Sequence, residues 1–304
     1  AFARTMFSDM QFRKQFAIIE TCYSGGVAQG CTGIPGLLMM TAANPYEPSK
    51  ADAFDDELQV YLSNTFTSSI LSKFASNPNA IIYDYVKMGK NCKVFPGAVV
   101  GAIPQDLKFS DEITWVEIGD NVTIRECATI NRGTAASGKY KTVIGNNTLI
   151  MSYAHVAHDC EVGNNCILVS YVGIAGETVV DDWAIIGGAS AAHQFSNIGA
   201  HAMVGGGSRI SKDVPPYVLA SKLPLSFCGI NIVGLRRRGF TIEQIDRIKE
   251  IYKVIYQSGL NVSAACKKIE AEFEESVEKR TILDFIARSK RGIIRYNPKA
   301  VADE

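Results

Sequence analysis

From Ile144 to Ile210 every sixth residue falls in one apolar register: Ile144, Ile150, Val156, Val162, Leu168, Ile174, Val180, Ile186, Ala192, Ile198, Val204 and Ile210. A period of six fits neither the 3.6-residue turn of a helix nor the alternation of a hairpin strand. It fits a solenoid whose short strands each turn one side chain inward before the chain rounds a corner. The pattern predicts a parallel β-helix. Gly145, Gly163, Gly187, Gly199 and Gly205 each follow a register residue, where a tight corner is expected to need a residue tolerant of positive φ. Ile118, Ile124 and Ile130 carry the same register displaced by two residues, so a segment between Ile130 and Ile144 must loop out. Earlier still, Met88, Val94 and Val100 step by six.

A chain of 304 residues that is 47% hydrophobic has ample apolar surface for a core, and its formal net charge of +0 argues against a global nucleic-acid binder. No apolar run reaches the roughly 18 residues of a membrane span, and AFARTMFSDM lacks the apolar core of a secretion signal. The eight cysteines are dispersed without a CxxC pair, as suits reduced thiols. A cytoplasmic protein is expected.

Residues 1–83 lack the hexad register and form a first domain in this reading. Phe16–Cys22 and Gly36–Ala43 are apolar, partly β-branched runs predicted as buried parallel strands, and Asp52–Phe74 has helical spacing. The strings IIETCYSGG and TAANPYEPSKAD resemble the nucleophile segment of the legumain-like (C13) cysteine peptidases, whose fold is a caspase-like α/β one. The resemblance implies that Cys22 matches the nucleophile, which needs a base or a positive neighbour to ionise. All four histidines (155, 158, 193 and 201) lie beyond this segment. Cys22 therefore reads as vestigial or structural. No Gly/Ser linker or charged tract separates the two patterns between Ala80 and Lys90, so the chain reads as a composite of two fragments. Resistance to limited proteolysis there would mark an evolved interface.

Residues 84–220 form the predicted solenoid. In the hexad frame His155 stands one position before inward Val156, His158 two after it, and His193 one after Ala192, so all three face outward. His155, His158 and Asp159 form a plausible acid/base cluster, because imidazole titrates near neutral pH and a carboxylate can fix its tautomer. Two other readings stay open at this point: His155, His158 and His193 gathered around zinc, and a binding or scaffold protein.

The strings GAIPQDLKF, TIRECATINRGT, SYAHVAHDCEVGNNCIL, IIGGASAAHQFSNIGAHAMVGGGS, DVPPYV and NIVGLRRRGF resemble the UDP-N-acetylglucosamine acyltransferase family that begins lipid A synthesis. That family's fold is a left-handed parallel β-helix of hexapeptide repeats with a C-terminal α-helical cap, so the chain is expected to be mainly β. The resemblance implies His158 as general base toward the glucosamine 3-hydroxyl, Asp159 as its polarising partner and the Gly176 N–H as oxyanion donor. It implies substrate contacts from Asp106, Lys108, His155, His193, Gln194, Asn231, Arg237 and Arg238, and an acyl-length ruler at Gly206. It also implies a homotrimer, a 3-hydroxyacyl donor on acyl carrier protein, UDP-N-acetylglucosamine as acceptor, and no metal or cofactor beyond the donor's phosphopantetheine. About three opening coils of the family's solenoid are expected before Val86, where the peptidase-like segment stands instead. Glu177 and Val233 depart from the family, where histidine and glutamate are common.

Residues 221–304 are predicted as the helical cap. Thr241 to Gln244 forms a capping box, followed by an apolar stripe from Ile245 to Tyr256 and a stop at Gly259. Further helical blocks cover Val262–Phe273 and Ile282–Arg288. Arg236, Arg237 and Arg238, with Arg247, Lys249 and Lys253, suggest a basic patch suited to an acidic carrier and a sugar diphosphate.

Overall fold

The computed structural model describes residues 80–298, together with the backbone of four short strands nearer the N-terminus. The chain divides into two compact units, Ala1–Ser76 and Asn77–Glu304. In the first, β1 (Gln15–Ile19) and β2 (Leu37–Thr41) pair in parallel, Gln15 opposite Leu37, as their apolar runs predict. Within the span read as helical, β3 (Ala53–Asp55) and β4 (Val60–Leu62) instead form an antiparallel pair. Aromatic and β-branched residues such as Phe54, Val60 and Tyr61 suit a strand, and local propensity there outweighs the apolar spacing. Cys22 and residues 63–74 of the span read as helical lie outside the described residues.

The second unit is a three-sided left-handed parallel β-helix. It starts at β5 (Ile81–Ile82), slightly before the boundary at 83, because Ile81 and Ile82 already pair with Val99 and Val100. The first face stacks β5, β8 (Val99–Ala102), β11 (Thr129–Asn131), β14 (His155–Val156), β17 (Gly173–Ile174), β20 (Ala191–Ala192) and β23 (Arg209–Ile210). The second stacks β6 (Val86–Met88), β9 (Trp115–Ile118), β12 (Lys141–Ile144), β15 (Glu161–Val162), β18 (Val179–Val180) and β21 (Asn197–Ile198). The third stacks β7 (Lys93–Val94), β10 (Thr123–Ile124), β13 (Leu149–Ile150), β16 (Ile167–Leu168), β19 (Ile185–Ile186), β22 (Met203–Val204) and β24 (Val218–Ser221), and β25 (Ser226–Ile230) closes it antiparallel to β24.

Every residue of the hexad register from Ile144 to Ile210 is buried. Each of the branched side chains contributes roughly 1.5–3 kcal/mol on leaving water. A second inward column stands two positions earlier and is made of small residues, among them Ala154, Cys160, Cys166, Thr178, Ser190 and Ser208. Their polar tips bond carbonyls of the adjoining coil, as in Thr148 Oγ1 to the Gly163 oxygen (2.8 Å) and Cys160 Sγ to the Ala175 oxygen (3.2 Å). Cys160 and Cys166 are therefore core fillers, and burial pushes both thiols up to about 12.

The glycines after the register serve a purpose other than the expected one. None of Gly145, Gly163, Gly187, Gly199 and Gly205 has a positive φ; that conformation falls two residues later, at Asn147, Asn165, Ala189, His201 and Gly207. A Cβ on Gly145 would lie 2.5 Å from the Gly163 carbonyl carbon, and one on Gly187 would lie 2.5 Å from the Gly206 nitrogen. These positions are glycine because successive coils stack too closely there for a side chain.

Beyond the coils, α1 (Ile232–Arg237), α2 (Ile242–Gln257), α3 (Val262–Glu272) and α4 (Val277–Arg288) form the cap. The Thr241/Gln244 capping box is formed, and Ile245, Ile248, Ile251, Tyr252 and Ile255 are buried along α2. Arg236 and Arg237 occupy the last turn of α1, a short helix ahead of the one predicted from Thr241, which suits the negative end of its dipole. Helix α4 begins before Ile282, at Val277, where the Ser276 side chain caps it by accepting from the Lys279 N–H, and the buried positions of its first turn are charged. Glu278 accepts from Gln244 Nε2 (2.7 Å) and Arg247 Nη1 (3.0 Å), and Lys279 Nζ donates to the Glu270 and Phe273 carbonyls. Lys249 and Lys253 pair with Asp246 and Glu250 on their own helix, which neutralises much of the expected basic row. No helix among the described residues is long and apolar enough to cross a membrane.

Candidate active site

Two excursions leave the solenoid at the corner between its first and second faces: residues 103–114, between β8 and β9, and residues 132–140, between β11 and β12. The second is the loop demanded by the two-residue register displacement. Glu112 ties them together, accepting from the Ala135 N–H (3.0 Å) and the Ser110 N–H (2.7 Å). One coil further on, the same corner carries His158 and Asp159.

Asp159 is wholly buried at a left-handed corner position, φ 59°. Its Oδ1 accepts from the Thr134 N–H (2.8 Å) and Ser137 Oγ (2.7 Å); its Oδ2 accepts from Thr134 Oγ1 (2.7 Å) and His158 Nδ1 (2.8 Å). Burial alone raises the carboxyl pKa, but these donors together outweigh it and hold Asp159 below its ordinary value. The carboxylate accepts from His158 Nδ1, which assigns the proton of neutral imidazole to that nitrogen and leaves the Nε2 lone pair open.

His158 stays partly accessible, with 12% of its side chain exposed against 0% for Asp159. Its Nε2 lies 3.9 Å from Asp106 Oδ2, and its ring rests over Gly176, where a Cβ would be 2.5 Å from both Cε1 and Nε2. A glycine is required for the imidazole to sit there. The hydrogen bond to Asp159 raises the His158 pKa most, burial opposes it, and the charges of Asp159, Asp106 and Glu177 add to the rise. His155 moves the other way, lowered by burial and by the nearby His158. Its Nδ1 is 2.7 Å from Thr129 Oγ1. An oriented imidazole with a buried carboxylate behind it and an open nitrogen in front can take a proton from a bound hydroxyl.

Asp106, His158, Asp159 and Gly176 thus converge at one corner. Lys108 is exposed on the same excursion, where its N–H donates to Asp106 Oδ1 (3.0 Å). His193 and Gln194 continue the corner one coil beyond Gly176, His193 Nδ1 lying 3.0 Å from the Gln194 carbonyl. The remaining expected residues stand elsewhere on the protomer. Gly206 lies at the corner between the third and first faces, where a Cβ would be 3.2 Å from the Gly188 oxygen. Asn231 caps α1, accepting from the Gly234 N–H (3.1 Å) while its Nδ2 donates to the His201 carbonyl (3.0 Å). Arg238 lies against the corner between the second and third faces, its Nη1 3.3 Å from His201 Nδ1 and its guanidinium over Trp183. Arg237 and Val233 are exposed, and the Glu177 N–H donates to the His158 carbonyl (3.0 Å). His155, His158 and His193 do not gather as ligands: among the described residues no group of three or more His, Cys, Asp or Glu is arranged to hold a metal ion.

Sequence reasoning missed Thr134, Ser137, Glu112 and Thr129. The one available signal was the displaced register, which marks 132–140 as an excursion with two hydroxyl side chains but does not show where it folds back.

Three family models match. Residues 213–294 match the second domain of UDP-N-acetylglucosamine O-acyltransferase, residues 141–176 the bacterial transferase hexapeptide, and residues 2–88 the Peptidase C13 family. The peptidase match runs into β5 and β6, so two unrelated patterns meet within the first strands of the solenoid. The acyl-(acyl-carrier-protein)–UDP-N-acetylglucosamine O-acyltransferase of Thiobacillus denitrificans is 42% identical over 203 residues, 67% of this chain and 78% of that protein. The same-named protein of Verminephrobacter eiseniae is 42% identical over 71% of this chain and 83% of its own length. Among solved structures, the UDP-N-acetylglucosamine acyltransferase of Bacteroides fragilis superposes with a TM-score of 0.70 at 53% identity, covering 71% of this chain and 84% of that one. The Francisella novicida enzyme gives 0.67 at 36% identity, covering 73% and 91%. With relatives this similar over more than two thirds of their length, the chain belongs to the UDP-N-acetylglucosamine O-acyltransferase family.

Proposed function

We propose that this chain transfers a 3-hydroxyacyl group from acyl carrier protein to the 3-hydroxyl of UDP-N-acetylglucosamine, the first step of lipid A biosynthesis. The observation that carries the reading is the His158 Nδ1 to Asp159 Oδ2 hydrogen bond of 2.8 Å, which leaves Nε2 open over Gly176. Nε2 takes the hydroxyl proton as the sugar oxygen attacks the thioester carbonyl, and Asp159 stabilises the imidazolium that forms. The resulting oxyanion needs a donor aimed at it; the Gly176 N–H fills that role and bonds no group among the described residues. Collapse of the tetrahedral intermediate expels the pantetheine thiolate, which recovers the proton from His158.

The expected substrate contacts lie at three different corners of one protomer, with Asp106 and His158 at the first, Arg238 at the second and Gly206 at the third. This distribution supports a homotrimer in which each pocket is completed by a neighbouring copy. Asp106, Lys108, His155, His193 and Gln194 surround the sugar nucleotide in this reading. Arg237 and Arg238 grip phosphate or carrier, Asn231 touches the pantetheine arm, and Gly206 leaves the acyl groove open. The cytoplasm, where carrier and sugar nucleotide meet, is the matching compartment.

Incubation with UDP-N-acetylglucosamine and 3-hydroxyacyl carrier protein tests the proposal: acylated sugar nucleotide should form with the parent chain and be lost in His158→Ala. The peptidase-like match over residues 2–88 favours one alternative, an inactive composite. Absence of product from a chain that sediments as a monomer would select it.

A further inference from the structure

The 132–140 excursion has a function that the acyltransfer reading leaves unassigned. It covers Asp159 and supplies three of the four donors that its carboxylate accepts: the Thr134 N–H, Thr134 Oγ1 and Ser137 Oγ, at 2.7–2.8 Å. Ser137 is itself fixed, because its Oγ accepts from the Lys139 N–H (3.0 Å) and its N–H donates to Thr134 Oγ1 (3.3 Å). Lys139 Nζ reaches the Asp159 carbonyl (3.3 Å) and pairs with Glu161 (2.9 Å), which fastens the far end of the excursion. Glu112 fastens the near end through the Ala135 N–H. An excursion that merely shed two extra residues to solvent would need none of these contacts.

We propose that Thr134 and Ser137 are positioning residues for acyl transfer, holding the Asp159 carboxylate where it orients His158 and setting how strongly it holds the imidazolium. The proposal rests on the assignment of His158 as base. A buried carboxylate with a single imidazole partner would concentrate its charge on that partner, bind the imidazolium tightly and keep the base protonated at neutral pH. Spreading the charge over three further donors weakens that grip while leaving the ring oriented. Thr134 Oγ1 shares Oδ2 with His158, so it acts on the same oxygen; Ser137 acts through Oδ1. The other groups facing His158 are Asp106 from the first excursion, Glu177 one coil along and His155 from β14, and neither substitution below touches them. Each single substitution leaves two of the three donors in place, so the carboxylate keeps its position and loses only part of its charge dispersal. The sign follows: the His158 midpoint rises.

The experiment is a histidine-selective NMR pH titration of the full chain without substrate, in the parent, Thr134→Val and Ser137→Ala. With four histidines in the chain, His158→Ala identifies the resonance. The expected result is an upward movement of the His158 midpoint by about half a pH unit in each variant, larger for Thr134→Val. The acid limb of kcat/KM should move with it, and Ser137→Thr, which restores a hydroxyl, should return both toward the parent. A His158 midpoint that is unchanged or lowered in both variants overturns the proposal, whatever happens to thermal stability. Because the titration needs no turnover, it decides the matter even if acyl transfer is absent, so this inference and the functional reading fail separately.

Discussion

Replacing Gly176 with alanine adds one methyl group beneath the His158 ring and leaves every polar group of the site in place. The new Cβ would start 2.5 Å from Cε1 and Nε2, and ordinary contact begins at 3.4 Å, so the imidazole must retreat by about 0.9 Å. A misplacement of about 1 Å in a reacting group costs about 100-fold in rate. The coil itself tolerates the change better, since Gly176 does not adopt a positive φ. Overpacking at one buried corner costs about 1–3 kcal/mol. Gly176→Ala should therefore lower kcat about 100-fold with little change in KM for the sugar nucleotide, the signature of a contact made mainly in the transition state. The assay is steady-state formation of acylated UDP-N-acetylglucosamine, with thermal denaturation run in parallel. A variant within threefold of the parent kcat, at comparable stability, would refute the argument, because the ring would then not need the space over Gly176 during reaction.

Further expectations concern the base, the groove and the coil. His158→Ala should lose about 100- to 10,000-fold in kcat while keeping the parental circular dichroism spectrum. His158 must be neutral to act and its pKa is raised, so kcat/KM should fall on the acid side through a midpoint above 6.5. Asp159→Asn removes the largest cause of that rise, and the limb should move down while kcat drops. Gly206→Leu places a side chain at the exposed third corner and should shift preference toward shorter acyl chains, read by competition between carrier proteins of defined acyl length. Gly145→Ala drives a Cβ to 2.5 Å from the Gly163 backbone and should lower stability by about 1–3 kcal/mol, seen as a reduced thermal midpoint without altered acyl preference.

The solenoid was legible because its repeat imposes one inward apolar position per strand, and all of Ile144 to Ile210 in that register proved buried. The companion column two residues earlier was not, because Thr178, Ser190 and Cys166 carry mixed polarity and only smallness unites them. Hydrophobic periodicity cannot register a position selected for volume. The corner glycines were found for the wrong reason, since a sequence cannot distinguish a glycine needed for its φ from one needed because another backbone passes close by. Helix α4 was read too short at its start because Glu278 and Lys279 look like solvated residues until Gln244, Arg247 and two carbonyls are seen around them.

The base and its carboxylate were legible as neighbours in the chain, and the repeat alone placed both histidines of the cluster outside the core. Local order along the sequence, a strand every six residues and a helix where the apolar stripe changes period, follows from short-range rules that each segment obeys by itself. What the chain order could not supply was the company Asp159 keeps. Thr134 and Ser137 reach it across 25 and 22 residues, and Gly176 comes under His158 only because one turn of the coil returns the chain to the same corner. Proton affinity at His158 depends on those approaches, since electrostatic and hydrogen-bonding effects act through space, and only the closed coil brings these groups within range.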